Sequence, residues 1–159
     1  MGRPHSFMDK EFNRNHYDPD DRIDFTPGQV FVVMPFGKPQ MDKVYSVIKN
    51  ECAKLNLSIK RVDENVGSGF ILREITKLIE DAEFIIVDLT HERPNVYYEL
   101  GYAHGVGNED LDILLIAKKG TRIHFDISPL RIMFYESMTH LHSIIKSSMS
   151  EMIRKTRNK

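Results

Sequence analysis

Apolar residues along this chain follow two periodicities in alternation. Gln29 to Met34 (QVFVVM) is a continuous β-branched and aromatic run closed by Pro35 and Gly37, which predicts a strand buried on both faces. From Met41 to Leu55 the positions Val44, Val47, Ile48, Cys52 and Leu55 recur at helical spacing, which predicts a helix lying on a sheet. The alternation then repeats. Leu57 to Val62 reads as a second strand ending in Asp63-Glu64, and Ile71, Ile75, Leu78 and Ile79 mark a helix running to about Asp81. Phe84 to Leu89 (FIIVDL) is a third strand of central character. Asn95 is placed as the N-cap of a helix from Val96 to Val106 that Gly107 ends. Asp112 to Ala117 is a fourth strand, and Arg131 to Tyr135 a short fifth. A last helix carries Met138, Leu141, Ile145, Met149 and Met152 on one side.

Strands separated by helices of this length form βαβ units, whose right-handed crossovers build a parallel sheet covered on both faces. The expected architecture is a flavodoxin-like or Rossmann-like three-layer α/β sandwich, with five mostly parallel strands in the order 2-1-3-4-5. Residues 1 to 28, rich in Asn, Asp, His and a Pro27-Gly28 turn, read as a flexible arm preceding an α/β domain of residues 29 to 159.

Composition narrows the function classes. The 159 residues are 41% hydrophobic, enough for one core. With 22 basic against 23 acidic residues no overall field attracts a nucleic acid polymer or an anionic membrane. No apolar run reaches the ~18 residues of a membrane span. Met1 to Phe12 lacks a signal-peptide core, and the single Cys52 sits on an apolar helical stripe, so a reducing cytoplasm is the expected setting.

Sheets of this order bind ligands beyond the carboxyl ends of their strands, at the switch point between the first and third. The residues expected there are Pro35, Phe36 and Gly37 after the first strand, Asp63 and Glu64 after the second, and Asp88 and Thr90 after the third. Asn95 and Glu99 join them from the following helix. Clustered carboxylates repel, so packing alone does not select them. In PNVYYELGYAHG, Asn95, Glu99 and Tyr102 share one helical face beside the apolar Val96, Leu100 and Ala103. Two readings of Glu99 stand level: a helix-dipole contribution of ~0.3 to 1 kcal/mol, or a place in a site. Gly101, costing ~1 kcal/mol against alanine inside a helix, is expected to pack closely on a strand or a ligand.

The stretch from VFVVMPFG at Val30, through RVDE at Arg61 and EFIIVDLT at Glu83, to RPNVYYELGYAHG at Arg93 and HFDIS at His124 resembles the nucleoside 2-deoxyribosyltransferase-like superfamily. That superfamily includes deoxyribonucleotide N-hydrolases and is similar in topology and chemistry to TIR domains. The resemblance covers residues 29 to 136 and implies that Glu99 is the nucleophile. The family's acid at the start of the third strand falls on Glu83, with Asp81 or Asp88 as alternatives, and its glycine-rich turn is reduced to MPFG.

Cleavage of an N-glycosidic bond develops oxocarbenium character that a carboxylate can stabilise or attack, and a second acid protonates the departing base. Asp88 or Asp63 is assigned that second role. Pro35, Phe36, Gly37, Glu83, Thr90, Asn95, Tyr102 and Asp126 are the expected substrate-binding residues. Phe36 would stack on a base, while Tyr98 and Tyr102 also read as packing residues. His91, His124, His140 and His142 show no metal-ligand spacing, so neither metal nor cofactor is expected. The chain lacks the phosphate-loop motif and the nucleophile elbow of serine hydrolases. The expected ligand is a small nucleoside or nucleotide, with no membrane and no nucleic acid polymer as partner, and the expected assembly is a homodimer or larger. The rivals are a TIR-like NAD hydrolase in antiphage defence and a nucleotide-sensing module without turnover.

Overall fold

The structure, a computed structural model, describes residues 25–35, 37–62, 68–91, 93–106, 108, 112–124 and 130–158. Strands β1 (Thr26–Val33), β2 (Ser58–Lys60), β3 (Ala82–Asp88), β4 (Ile113–Lys118) and β5 (Ile132–Tyr135) alternate with helices α1 (Pro39–Lys54), α2 (Ser68–Asp81), α3 (Pro94–Gly105) and α4 (Met138–Arg157). The sheet runs β2-β1-β3-β4-β5, and every pair is parallel. This is the expected flavodoxin-like order.

The strand pleat sorts the core into two layers. Val30, Val32, Met34, Phe84 and Ile86 point to the face covered by α1 and α4, where Val44, Ile48, Leu141, Ile145 and Met149 meet them. Phe31, Val33, Ile85 and Val87 point to the face covered by α2 and α3, against Ile79, Val96, Leu100 and Ala103. All seven residues of β3 are buried, which explains a run without polar alternation between Phe84 and Val87. Each fully buried side chain such as Phe84 or Ile85 stabilises the fold by ~1.5–3 kcal/mol relative to exposure. Cys52 lies in this core, and burial foremost, then Glu51, pushes its thiol up to about 12. No helix among the described residues is long and apolar enough to cross a membrane.

Several boundaries differ from expectation for identifiable reasons. β1 begins at Thr26, so the strand takes in three residues assigned to the arm, whose residues 1–24 lie outside the described ones. The Gly28 N–H donates to Glu83 Oε2 at 2.5 Å. Gly28 holds φ +77°, and a Cβ there would lie 3.5 Å from the Asn56 carbonyl oxygen, so glycine suits the position. Helix α3 starts at Pro94 with Arg93, not Asn95, as N-cap. The fixed φ of proline favours the first helical position, and this outweighs the capping preference of an asparagine one residue later.

Glu83 sits at the amino end of β3. Its carboxylate accepts Arg157 Nε at 2.8 Å and Arg157 Nη2 at 2.9 Å, so the last turn of α4 is clasped to the sheet. Its side chain is only 5% exposed. The expected role in substrate binding is therefore corrected: Glu83 lies at the end of the strand opposite the rim where a ligand is expected, with both carboxylate oxygens engaged.

Candidate active site

The parallel topology brings the carboxyl ends of β1, β3 and β4 side by side, with the amino ends of α1 and α3 at the same rim. β3 ends on Asp88, whose residue is fully buried. Asp88 Oδ1 accepts the Thr90 backbone N–H at 2.9 Å, and Oδ2 accepts the Tyr135 hydroxyl at 3.0 Å. Because Tyr135 gives its proton to Asp88, its oxygen is left to accept from Thr90 Oγ1 at 3.3 Å. Thr90 Oγ1 in turn accepts the Lys118 backbone N–H at 3.0 Å. Strands β3, β4 and β5 are thus tied together at the rim by a closed polar chain.

Burial raises the Asp88 pKa above the ordinary carboxylate range, against the opposing hydrogen bonds from Thr90 and Tyr135. Burial, followed by the nearby Asp88 charge, also holds the Tyr135 hydroxyl well above its usual range. Asp88 was expected to meet the departing base directly. An enclosed carboxyl with both oxygens occupied does not fit that contact, and Asp88 acts instead as the post on which Thr90 and Tyr135 are set. Tyr135 was absent from the expected site. Its only signal in sequence is an aromatic hydroxyl at the carboxyl end of the last strand.

Glu99 lies in the second turn of α3, on the border of the apolar face formed by Val96, Leu100 and Ala103. The residue is partly buried, and burial alone pushes its carboxyl up to about 7. Among the described residues no group hydrogen-bonds or ion-pairs with it. It is therefore a carboxyl poised to change charge near neutrality and not committed to a structural partner, which is the pattern expected at a functional site.

Its helical neighbours divide. Asn95 is exposed at the rim one turn earlier. Tyr102, expected to bind substrate, instead donates its hydroxyl to Glu80 Oε1 at 2.5 Å and joins α3 to α2. Burial first, then the acceptor Glu80, raises its pKa to about 12. Tyr102 is a packing residue with a satisfied hydroxyl. Gly101 also departs from expectation: a Cβ there would meet nothing within 4 Å, so close packing against a strand does not account for it.

Pro35 is buried at the end of β1, and Gly37 follows, exposed, with φ +76°. Thr90 is buried in the polar chain described above, so its hydroxyl supports the rim from beneath. Phe36, Asp63 and Asp126 lie outside the described residues. The β3–α3 loop places His91 at φ +73°, a conformation that costs a non-glycine residue on the order of 1 kcal/mol. Loss of hydration around its ring, and then the charge of Lys38, hold His91 below its ordinary pKa. Arg93 and Lys118 add to this, while Asp88 pulls the other way.

Among the described residues no group of three or more His, Cys, Asp or Glu side chains is arranged to hold a metal ion. A separate groove of about 120 Å³ lies between β4, β5 and α4, lined by Leu114, Arg131, Met133 and Met152. It is remote from Glu99 and shares none of the rim residues.

No protein-family model matches the sequence, and no curated protein matches it. Solved structures do. A 2-deoxyribosyltransferase from Bacillus psychrosaccharolyticus superposes with a TM-score of 0.55 at 15% identity, over 72% of this chain and 90% of that one. A CMP N-glycosidase from Clostridium botulinum superposes with a TM-score of 0.60 at 14% identity, over 73% of this chain and 97% of that one. A flavo di-iron protein from Thermotoga maritima gives a TM-score of 0.61 at 15% identity, over 82% of this chain but 38% of that one. The chain therefore shares its fold with deoxyribosyltransferase-like proteins, as the sequence resemblance implies, and with flavodoxin-like domains more widely.

Proposed function

We propose that this chain cleaves or transfers the N-glycosidic bond of a nucleoside or nucleotide, with Glu99 as nucleophile. The observation that carries the reading is the Glu99 carboxyl itself: partly buried, without a described partner, and shifted to about 7 by desolvation. The two glycosidic-bond enzymes of the same fold support it. A partly desolvated carboxylate beside an anomeric carbon gains interaction as the sugar becomes cationic, and this gain is larger in the transition state than in the ground state.

In the proposed step a Glu99 carboxylate oxygen bonds to the anomeric carbon as the carbon–nitrogen bond breaks. The bonding pair leaves with the base nitrogen, which takes up a proton. Water then attacks the glycosyl ester to complete hydrolysis, or a second base attacks to complete transfer. With Asp88 enclosed, Asp63 is the assigned proton donor to the leaving base. Asn95, exposed one turn before Glu99, is assigned to a sugar hydroxyl. Thr90, Asp88 and Tyr135 hold the rim in shape.

The test is base release from a panel of nucleosides, nucleotides and NAD, followed by chromatography. Glu99→Gln should abolish release, with a loss of at least about 100-fold expected of a nucleophile. Undiminished turnover by Glu99→Gln would overturn the assignment. Release of nicotinamide from NAD alone would make the enzyme an NAD hydrolase with the same nucleophile.

A further inference from the structure

Asp88, Tyr135, Thr90 and Lys118 form a chain of hydrogen bonds whose protons can be counted. Its two end donors are backbone N–H groups, that of Thr90 to Asp88 Oδ1 at 2.9 Å and that of Lys118 to Thr90 Oγ1 at 3.0 Å. Neither can turn round. Between them lie two hydroxyls, which can. With Asp88 charged, Tyr135 donates to Oδ2 at 3.0 Å, and Thr90 Oγ1 donates to the Tyr135 oxygen at 3.3 Å. Four protons then meet four acceptor oxygens, one each.

A further proton does not fit this count. Placed on Oδ1 it opposes the Thr90 N–H, and the bond that anchors the loop is lost. Placed on Oδ2 it turns Tyr135 round, so that the tyrosine donates to Thr90 Oγ1 and the Thr90 proton is driven out of the chain. Asp88, Thr90 and Tyr135 are all buried, so the loop must move to satisfy a displaced donor. The next residue makes that movement consequential. His91 holds φ +73°, a backbone state that persists only where its surroundings fix it. Pro94 then opens α3, and Glu99 stands in the second turn of that helix. Thr90 is thus the fixed point from which the strained turn and the Glu99 helix are hung.

Burial favours a neutral Asp88, and the hydrogen bonds from Thr90 and Tyr135 oppose it. Among the described residues the other charged groups at this rim come from each neighbouring element. His91 in the same loop favours the Asp88 carboxylate, while Lys38 of the turn before α1, Arg93 before α3 and Lys118 of β4 act on His91. Beside Tyr135, Lys119 and Glu136 pair with each other at 2.6 Å, and His140 of α4 accepts the Glu136 N–H. Burial is the sole cause of the Glu99 shift, so Glu99 and Asp88 titrate independently. Asp63, Glu64, Glu92 and Asp126 lie outside the described residues.

We propose that Tyr135 is a positioning residue for the Glu99 site: its hydroxyl holds Asp88 in the charged, accepting form that anchors Thr90, and protonation of Asp88 breaks the count and releases the β3–α3 turn. The part played by Glu99 rests on the function proposed above. Tyr135 touches no reacting atom and acts through Asp88 and Thr90.

The experiment follows the Thr90 amide by proton–nitrogen NMR as pH is lowered, since that N–H is bonded to the Asp88 carboxylate itself. In the wild type the amide should titrate with a midpoint above the ordinary aspartate value of 3.8, and the same midpoint should appear in Glu99→Gln. Tyr135→Phe, which removes only the hydroxyl, should raise it by about one pH unit or more. Tyr102→Phe is the matched control, losing a tyrosine–carboxylate bond elsewhere, to Glu80, and should leave it in place. A Thr90 amide that does not move between about pH 8 and about pH 4 overturns the proposal, and so does a titration that vanishes in Glu99→Gln. These two traces decide the matter even if Tyr135→Phe fails to fold. An unchanged midpoint in Tyr135→Phe, or an equal rise in Tyr102→Phe, also overturns it. The acid limb of base release should carry both ionisations, and Tyr135→Phe should move only the one read at Thr90. Base release with a Thr90 midpoint indifferent to Tyr135→Phe removes the positioning role and leaves Glu99 standing. The expected Thr90 titrations without base release from any substrate do the reverse.

Discussion

Replacing Glu99 by glutamine keeps the shape of the side chain and removes its titration, which gives a stability test independent of any substrate. Burial raises the folded-state pKa of Glu99 from the ordinary 4.5 to about 7. Over that interval the folded chain keeps a proton that the unfolded chain has released. The unfolded state then binds fewer protons, so wild-type stability falls as pH rises. Below the lower value Glu99 is protonated in both states and costs nothing; above the upper one the full cost is present. The interval of about 2.5 pH units sets a ceiling of ~3.4 kcal/mol at 1.36 kcal/mol per unit. Glu99 retains some contact with water, and this screening lowers the expectation to ~2 kcal/mol. Glu99→Gln should therefore match the wild type near about pH 4 and exceed it by ~2 kcal/mol near about pH 8. Urea denaturation followed by circular dichroism, with both proteins in the same buffers, measures the difference and cancels the other titrating groups, Asp88 included. A difference that stays flat with pH, or a glutamine variant weaker than wild type near about pH 8, would refute the claim that Glu99 is held in a desolvated, unpaired state.

Two further outcomes follow from packing. Arg157→Ala strands the nearly buried Glu83 carboxylate without its guanidinium and should cost ~2 to 3 kcal/mol by denaturant unfolding. Glu83→Gln on that background should recover part of the loss, and a cost under ~0.5 kcal/mol would contradict the clasp. Gly101→Ala adds a methyl where nothing lies within 4 Å and should stabilise α3 by ~1 kcal/mol, or a melting rise of ~2–4 °C. A fall in melting temperature would show that the glycine is required by the folded chain.

The layered fold was legible because each strand is an apolar run punctuated by proline, glycine or acid, and because βαβ connections leave little freedom of order. The rim where a ligand is expected follows from the same topology. Glu99 stood out because helical spacing sets it beside Leu100 and Ala103. What was not legible depends on partners distant in sequence. Asp88 is closed off by Tyr135, 47 residues later, and Glu83 is claimed by Arg157, 74 residues later. Tyr102 faces α2 and finds Glu80, 22 residues earlier, a contact set by how two helices pack. The N-cap of α3 was misplaced for a local reason, the preference of Pro94 for the first helical position over the capping ability of Asn95.

One strand carries opposite assignments at its two ends. Glu83 clasps the last turn of α4, and Asp88, ~16 Å further along β3, carries the frame of the rim. Under the proposed reading, the loops facing the ligand and the latch that secures the sheet lie at opposite ends of β3. Substitutions at rim positions such as Asn95 therefore leave the Glu83–Arg157 clasp untouched. Diversity at one edge draws on a reserve of stability kept at the other.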